Sequence, residues 1–251
     1  MFTADALKDK RILITGASAG IGKATSLALS QLGARLVIMG RNATRLEEVR
    51  SQLTGEGHVI FPCDLAKETD FKKTLADFAA HEKFSGLVNC AGMDATLPLK
   101  AMSFSKWEEI LRVNLSSGML LAQAFANARV CKPASSIVFV GSVMSLVGQS
   151  GKAAYCSSKA ALVGLTKALS LELARDRIRV NVVCPGMVKT EMFDGLHSLI
   201  GDEKMKAFEL MHPLGFGETS DVAHAITYLL SDASRWVTGS SLVIDGGYTV
   251  S

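Results

Sequence analysis

Apolar residues fall along this chain in two alternating rhythms. Short runs at 11–15, 35–39, 58–62, 87–89, 136–140, 179–184 and 241–245 are bounded by glycine, proline, asparagine or charge, and read as strands. Between them, at 21–32, 44–53, 68–82, 105–128, 153–174 and 220–230, apolar positions recur at helical spacing. Strand and helix in alternation predict parallel βαβ units with right-handed crossovers. Runs such as Arg35-Leu-Val-Ile-Met39 lack a polar face, as expected of strands covered on both sides. The pattern predicts an α/β fold: one domain over 1–251, with a doubly wound parallel sheet of about seven strands and helices on both faces. Segment 187–216 breaks the rhythm. It scatters Met187, Met192, Phe193, Leu196, Leu199, Ile200, Met205, Phe208 and Met211, and its length and irregularity predict a lid over a pocket.

Composition narrows the class. Hydrophobic residues make up 48% of the 251 residues and charged ones 20%, enough for a full core. The net charge of +3 is spread over mixed signs, which gives no case for a nucleic-acid partner. The first apolar run starts at Ile12, follows charged residues and stops at Gly16, so it reads as a strand and not a signal peptide. No stretch reaches the ~18 uncharged apolar residues of a membrane span. The five cysteines form no CxxC and the five histidines no HxxxH or HExxH. Reduced thiols in a cytoplasmic enzyme without a metal site are expected.

The first strand runs into Thr15-Gly-Ala-Ser-Ala-Gly-Ile-Gly22 and then a helix. Gly16, Gly20 and Gly22 let the backbone turn tightly and approach a pyrophosphate, while the helix start offers free N–H groups to the anion. This is a Rossmann-like arrangement, although the spacing is GxxxGxG. A nucleoside-triphosphatase P-loop needs GxxxxGK[ST]; here Lys23 is followed by Ala24, and the earlier glycine is out of register.

Tyr155 and Lys159 lie four apart in a helical pattern and so share a face, and Ser142 follows the preceding strand. Ligands of parallel sheets bind at such strand ends. A phenol with a pKa near ~10 is a poor base at neutral pH. A nearby ammonium favours the phenolate. YxxxK alone is short and common; its combination with the glycine turn and Ser142 gives it weight.

With these residues in place, the whole chain resembles the short-chain dehydrogenase/reductase family, in its compact single-domain branch. The glycine turn matches the family's phosphate turn, and Asn89-Cys-Ala-Gly92 its NNAG strand end, with Cys90 replacing an asparagine. Asn114, Ser142, Tyr155 and Lys159 match its catalytic positions, and Pro185-Gly186 with Thr190 the stretch that receives the nicotinamide. Gly239 and Asp245-Gly246-Gly247 resemble the end of 3-oxoacyl-carrier-protein reductases.

The resemblance implies that Tyr155 exchanges the proton, Lys159 lowers its pKa and holds the ribose, and Ser142 bonds the substrate oxygen. Asn114 would hold a relay water, or serve as a helix-kink residue. Cofactor contacts are implied for Gly16, Ser18, Gly20, Ile21, Gly22, Arg41, Asp64, Leu65, Asn89, Ala91, Gly92, Tyr155, Lys159, Pro185, Gly186, Val188 and Thr190. Asp64 would bond the adenine amino group, or cap the next helix. A homotetramer, or a homodimer, is implied too. Helices at 105–128 and 153–174, apolar on more than one face, offer a surface for it.

The second strand ends in Gly40-Arg41, where NAD enzymes of this fold carry an acid for the ribose 2′-hydroxyl. Loss of the acid and gain of a cation favour NADP(H) over NAD(H). The expected function is therefore NADP(H)-dependent reduction of a ketone or 3-oxoacyl carbonyl, on a small molecule or an acyl thioester. An NAD(P)-dependent alcohol, polyol or steroid dehydrogenase, and a non-catalytic nucleotide sensor on the same fold, are the alternatives. Lys132, Arg175 and Arg177 are candidates for an acyl-carrier landing patch, or a solvated face. Met187, Met192, Met205 and Met211, with Met93 and Met144, predict an apolar substrate pocket or a fastened lid.

Overall fold

The computed structural model describes residues 2–68 and 70–251. Met1, Thr69 within the helical stretch expected at 68–82, and the side chain of Leu199 in the expected lid lie outside the described residues. Seven parallel strands form one sheet: β1 (Arg11–Thr15), β2 (Arg35–Gly40), β3 (Val59–Pro62), β4 (Phe84–Asn89), β5 (Cys131–Val140), β6 (Arg179–Pro185) and β7 (Ser241–Ile244). Their order is β3-β2-β1-β4-β5-β6-β7. The order reverses between β1 and β4, the switch point at which doubly wound sheets open a crevice.

Among the described residues, eight α-helices pack around the sheet: α1 (Gly20–Gln31), α2 (Ala43–Arg50), α3 (Phe71–Ala79), α4 (Phe104–Leu111), α5 (Ser117–Phe125), α6 (Ala153–Glu172), α7 (Glu191–Leu210) and α8 (Thr219–Leu230). Local chemistry starts several of them. Asn42 accepts from the Arg45 N–H at 3.0 Å to cap α2, and Ser103 accepts from the Lys106 N–H at 3.3 Å to cap α4. Glu218 and Asp221 form a reciprocal capping box on α8.

The strands lack polar alternation because successive side chains enter two different cores. Ile12, Ile14, Leu36 and Ile38 pack with Leu29 of α1, Leu46 of α2 and Ile226 of α8. Leu13, Val37 and Met39 pack on the other side with Leu75 of α3, Phe125 of α5 and Leu162 of α6. Burial of these side chains, at about 25 cal/mol per Å² of apolar surface, closes both faces to water.

Two stretches differ from the pattern. The helix expected at 105–128 is α4 and α5 joined by a wide π turn over Arg112–Ser116, centred on Asn114. Segment 187–216 is mainly helical rather than irregular. Val188 bridges Gly217, and α7 then runs for 20 residues with a break at Gly201, whose φ of +78° lies in the left-handed region. That glycine splits the apolar period, which is why the segment looks irregular in sequence. Phe193 in the first turn of α7 meets the Phe216 ring at 5.1 Å, and His212 stacks on Tyr248 at 4.7 Å. This ties the far end of the segment to the C-terminal turn.

Candidate active site

The switch point is built on close backbone approach. A Cβ on Gly16 would stand 2.8 Å from the Ala91 nitrogen, and one on Gly22 only 2.2 Å from the Gly16 oxygen. Only glycine allows this turn, and it brings the ends of β1 and β4 together. Thr15 Oγ1 donates to Asn89 Oδ1 at 2.7 Å and accepts from the Ala91 N–H at 3.1 Å. Asn89 is thereby committed to the junction, with Nδ2 packed over Gly118 of α5.

The start of α1 faces out of this turn. Its N-cap, Ala19, offers no side-chain acceptor, and the first turn holds no acid. Uncapped N–H groups and the positive end of the helix dipole suit a phosphate. Thr190, which caps α7, closes over Gly20, its Cγ2 lying 3.2 Å from a Cβ built there. Gly40 at the end of β2 lies flush with Ser18, and a Cβ on it would stand 3.4 Å from Ser18 Oγ. Arg41 is exposed beside it. Asp64 follows β3, its Oδ1 accepting from the Ala66 N–H at 3.1 Å, and Leu65 is buried next to it. Gly186, after β6, packs against Asp245, 2.9 Å separating its would-be Cβ from the Asp245 Cα. Ile21 sits in the turn and Val188 in the bridge to Gly217. A glycine cradle at an uncapped helix start fits the pyrophosphate of a dinucleotide.

Asn114 from the π turn, Ser142 from the end of β5, and Tyr155 and Lys159 from α6 lie together beside that cradle. Lys159 on α6 is buried and donates to the Val140 carbonyl at 2.8 Å. Its Nζ lies 5.7 Å from the centre of the Tyr155 ring. Ser142 follows β5 and accepts from the Met144 N–H at 3.2 Å, and its side chain acts on the Tyr155 phenol in the direction that lowers its pKa. Asn114 accepts from the Met93 N–H at 2.8 Å and donates to the Met93 carbonyl at 2.9 Å and to Ser158 Oγ at 3.0 Å. Gly92 packs closely on the pair: a Cβ there would stand 3.3 Å from Lys159 Nζ and 3.5 Å from Asn114 Oδ1.

The electrostatics differ from the simple expectation of an acidified phenol. Burial pushes Tyr155 up to about 12; the Ser142 hydrogen bond opposes this, and Asp94 and Cys156 add to it. Burial pushes Lys159 down to about 8 against the pull of Cys90, Cys184 and Asp94. Cys90 is itself raised to about 12, chiefly by burial, so it stays a neutral thiol. The protein's own groups thus favour a neutral phenol, because desolvation, with the Asp94 charge behind it, outweighs the pull of Ser142.

Two features escape sequence reasoning. Lys152, at the entry to α6, is buried and forms an ion pair with Asp94 after β4, its Nζ 5.8 Å from the centre of the Tyr155 ring. Helical spacing from Tyr155 could have flagged Lys152; nothing flags Asp94. The second is His212, whose Nε2 receives the Met187 N–H at 3.4 Å beside the Pro185-Gly186 stretch. The acyl-carrier patch is corrected. Lys132 lies at the start of β5 and Arg175 and Arg177 precede β6, which places them at the opposite end of the sheet from the site. The methionines are spread as well: Met205 is buried, whereas Met192 and Met211 are exposed. Among the described residues, no group of histidine, cysteine and acid side chains could hold a metal ion, and no helix is long and apolar enough to cross a membrane.

A family model described as enoyl-(acyl carrier protein) reductase matches residues 16–249. A 3-oxoacyl-[acyl-carrier-protein] reductase from Homo sapiens is 38% identical over 241 residues, covering 95% of this chain and 98% of the relative. A structure from Beutenbergia cavernae, described as an NAD(P)-dependent gluconate 5-dehydrogenase with NADP bound at low occupancy, superposes with a TM-score of 0.91 at 31% identity, covering 99% of this chain and all of that one. The aldohexose dehydrogenase of Thermoplasma acidophilum gives 0.88 at 27% identity, covering 99% and 97%. Glycine cradle, Tyr155–Lys159 spacing and full-length likeness agree: the chain belongs to the short-chain dehydrogenase/reductase family and is an oxidoreductase of that kind.

Proposed function

We propose that the chain reduces a ketone or 3-oxoacyl carbonyl to a secondary alcohol, with NADPH preferred over NADH. The observation that carries this is the buried Lys159 ammonium, 5.7 Å from the Tyr155 ring centre and packed against Gly92 of the cradle, with Ser142 also acting on the phenol. Reduction of a C=O needs a hydrogen-bond donor and a proton donor at the same oxygen.

Gly16, Ser18, Gly20, Ile21 and Gly22 would hold the pyrophosphate, Arg41 the 2′-phosphate, and Asp64 with Leu65 the adenine. Asn89, Ala91, Gly92, Pro185, Gly186, Val188 and Thr190 would line the nicotinamide half. Bound there, NADPH supplies the hydride. Tyr155 gives its proton to the carbonyl oxygen, and Ser142 donates a hydrogen bond to that oxygen as charge grows on it. Lys159 spends one N–H on Val140, which leaves two for ribose hydroxyls and a charge to steady the phenolate. Asn114 fixes Met93 and Ser158 around them. The segment 187–216 acts as a lid hinged at the β6 end and at Gly201, within a single catalytic domain, in the cytoplasm.

The sugar-acid and aldohexose dehydrogenases among the structural neighbours favour a second reading, oxidation of a polyol. A homologous ketone series separates the two. Each added methylene should raise kcat/KM by about fourfold, from ~0.8 kcal/mol of burial, until the pocket is full. A flat series with turnover of gluconate or an aldohexose promotes the polyol reading.

Tyr155→Phe should cut turnover by ~10²–10⁴-fold with NADPH binding nearly intact. Retention of more than about 1% of the rate would place the proton donor elsewhere. Arg41→Ala should raise the KM for NADPH by roughly 10–150-fold, the worth of a charge-assisted hydrogen bond, and spare NADH. Equal losses with both cofactors would show that Arg41 does not read the phosphate. We also infer a homotetramer, supported by Phe104 of α4, Met119 of α5 and Leu171 of α6, all exposed on the helices that the sequence marks as apolar on several faces. Sedimentation velocity giving a monomer at micromolar concentration would remove that inference.

A further inference from the structure

We propose that Lys152 and Asp94 are positioning residues for the reaction: an ion pair held against the Tyr155 ring, whose opposed charges balance each other and so fix how readily the phenol gives up its proton. The proposal rests on Tyr155 as proton donor.

The geometry is specific. Lys152 is 8% exposed and has its Nζ 5.8 Å from the Tyr155 ring centre, close to the 5.7 Å of Lys159. Two ammonium groups therefore flank one phenol. Asp94 contacts Lys152 through Oδ2, while its Oδ1 is buried without a hydrogen-bond partner among the described residues. Its charge is thus balanced through Lys152 and not dispersed over several donors.

The two loops that carry the pair are clamped. Leu97 donates its N–H to the Gly151 carbonyl at 2.8 Å. Gly151 sits at φ +78°, and a Cβ there would come within 3.1 Å of Thr96 Cγ2. The pair cannot drift from the ring without breaking this contact.

The other groups around the phenol leave the balance to this pair. Ser142 faces it from the β5 end, Lys159 and Cys156 from α6, and Cys90 and Cys184 surround Lys159 from the ends of β4 and β6. Cys90 and Cys184 are held as neutral thiols, mainly by burial. The Asp94 charge opposes ionisation of Tyr155 and supports the charge of Lys159. An apolar pair of equal volume would fasten the loops as well, since buried ion pairs seldom add net stability.

Asp94→Asn and Lys152→Met break the same contact but leave opposite charges. Each variant is titrated by tyrosinate absorbance with saturating NADP⁺. Its Tyr155→Phe counterpart is subtracted so that Tyr228 and Tyr248 cancel. A lone charge ~6 Å away shifts a midpoint by about 0.5–2 pH units for effective dielectric constants of about 80 down to 20. Asp94→Asn should lower the Tyr155 midpoint by that amount, and Lys152→Met should raise it, leaving the phenol un-ionised where the parent titrates. Shifts of the same sign, or none, overturn the proposal, because a merely structural pair has no reason to give opposite signs. The double variant leaves no buried charge unpaired and so keeps the fold even where a single variant loses it. Its midpoint should return close to the parent's, and a large residual shift also overturns the proposal. The titration needs no turnover. Full activity in Tyr155→Phe would defeat the donor reading alone, and unshifted midpoints would defeat this one alone.

Discussion

Covering both faces of a parallel sheet with apolar helices confines polar chemistry to the two ends of the strands. In βαβ units the helices run opposite to the strands, so helix C-termini gather at the strand starts and helix N-termini at the strand ends. The protein answers the first set with its own cations. Arg11 donates to the Phe78 carbonyl at the end of α3 at 2.7 Å, Lys10 to the Leu230 carbonyl at the end of α8 at 3.3 Å, and Arg179 to Ser231 just beyond it at 3.3 Å. At the other end the start of α1 has neither cap nor acid. At that end Asn42, Ser103, Thr190 and Glu218 cap α2, α4, α7 and α8, which leaves the start of α1 open to an anion. An open helix start of this kind suits a phosphate group.

The same confinement explains the tension at Tyr155 and Lys159. Burial disfavours both charged forms, raising the phenol to about 12 and lowering the ammonium to about 8. The two shifts move the pair away from phenolate and ammonium, the states that oxidation of an alcohol requires, and toward the neutral phenol that reduction requires. Carbonyl reduction starts from the protonation state the protein already favours for Tyr155. A desolvated site also strengthens any charge brought near it. The small distance between the ring and each of its two lysines therefore matters more here than it would at the surface.

Much of this is legible in the sequence where a local constraint dictates residue type. The turn needs Gly16 and Gly22 because a Cβ on them would stand only 2.8 and 2.2 Å from backbone atoms. Tyr155 and Lys159 share a face because helix geometry puts them there, and the strands show as unbroken apolar runs because each feeds two cores. What stays hidden depends on contacts between segments. Asp94 and Lys152 lie 58 residues apart and meet only through loop packing. The π turn at Asn114 carries no glycine or proline to mark it within the helical stretch. Gly201 disguises a long helix as an irregular loop. Lys132, Arg175 and Arg177 look like a basic cluster until the strand directions place them at the wrong end.

Asn114 shows how far the geometry constrains a role that its position alone leaves open. A backbone N–H can only donate, so the Met93 N–H at 2.8 Å identifies the facing atom as Oδ1 and fixes the orientation of the amide. Both hydrogens on Nδ2 are then spent, one on the Met93 carbonyl and one on Ser158 Oγ. Ser158 in turn donates to the Tyr155 carbonyl at 2.7 Å, which links the π turn to the helix that carries Tyr155 and Lys159. The amide keeps one lone pair and no donor. A further partner of Asn114 must therefore donate to it. The bonds to Met93 and Ser158 consume both donors, so the fold spends the amide chiefly on joining the β4 end to α6 and leaves over a single acceptor.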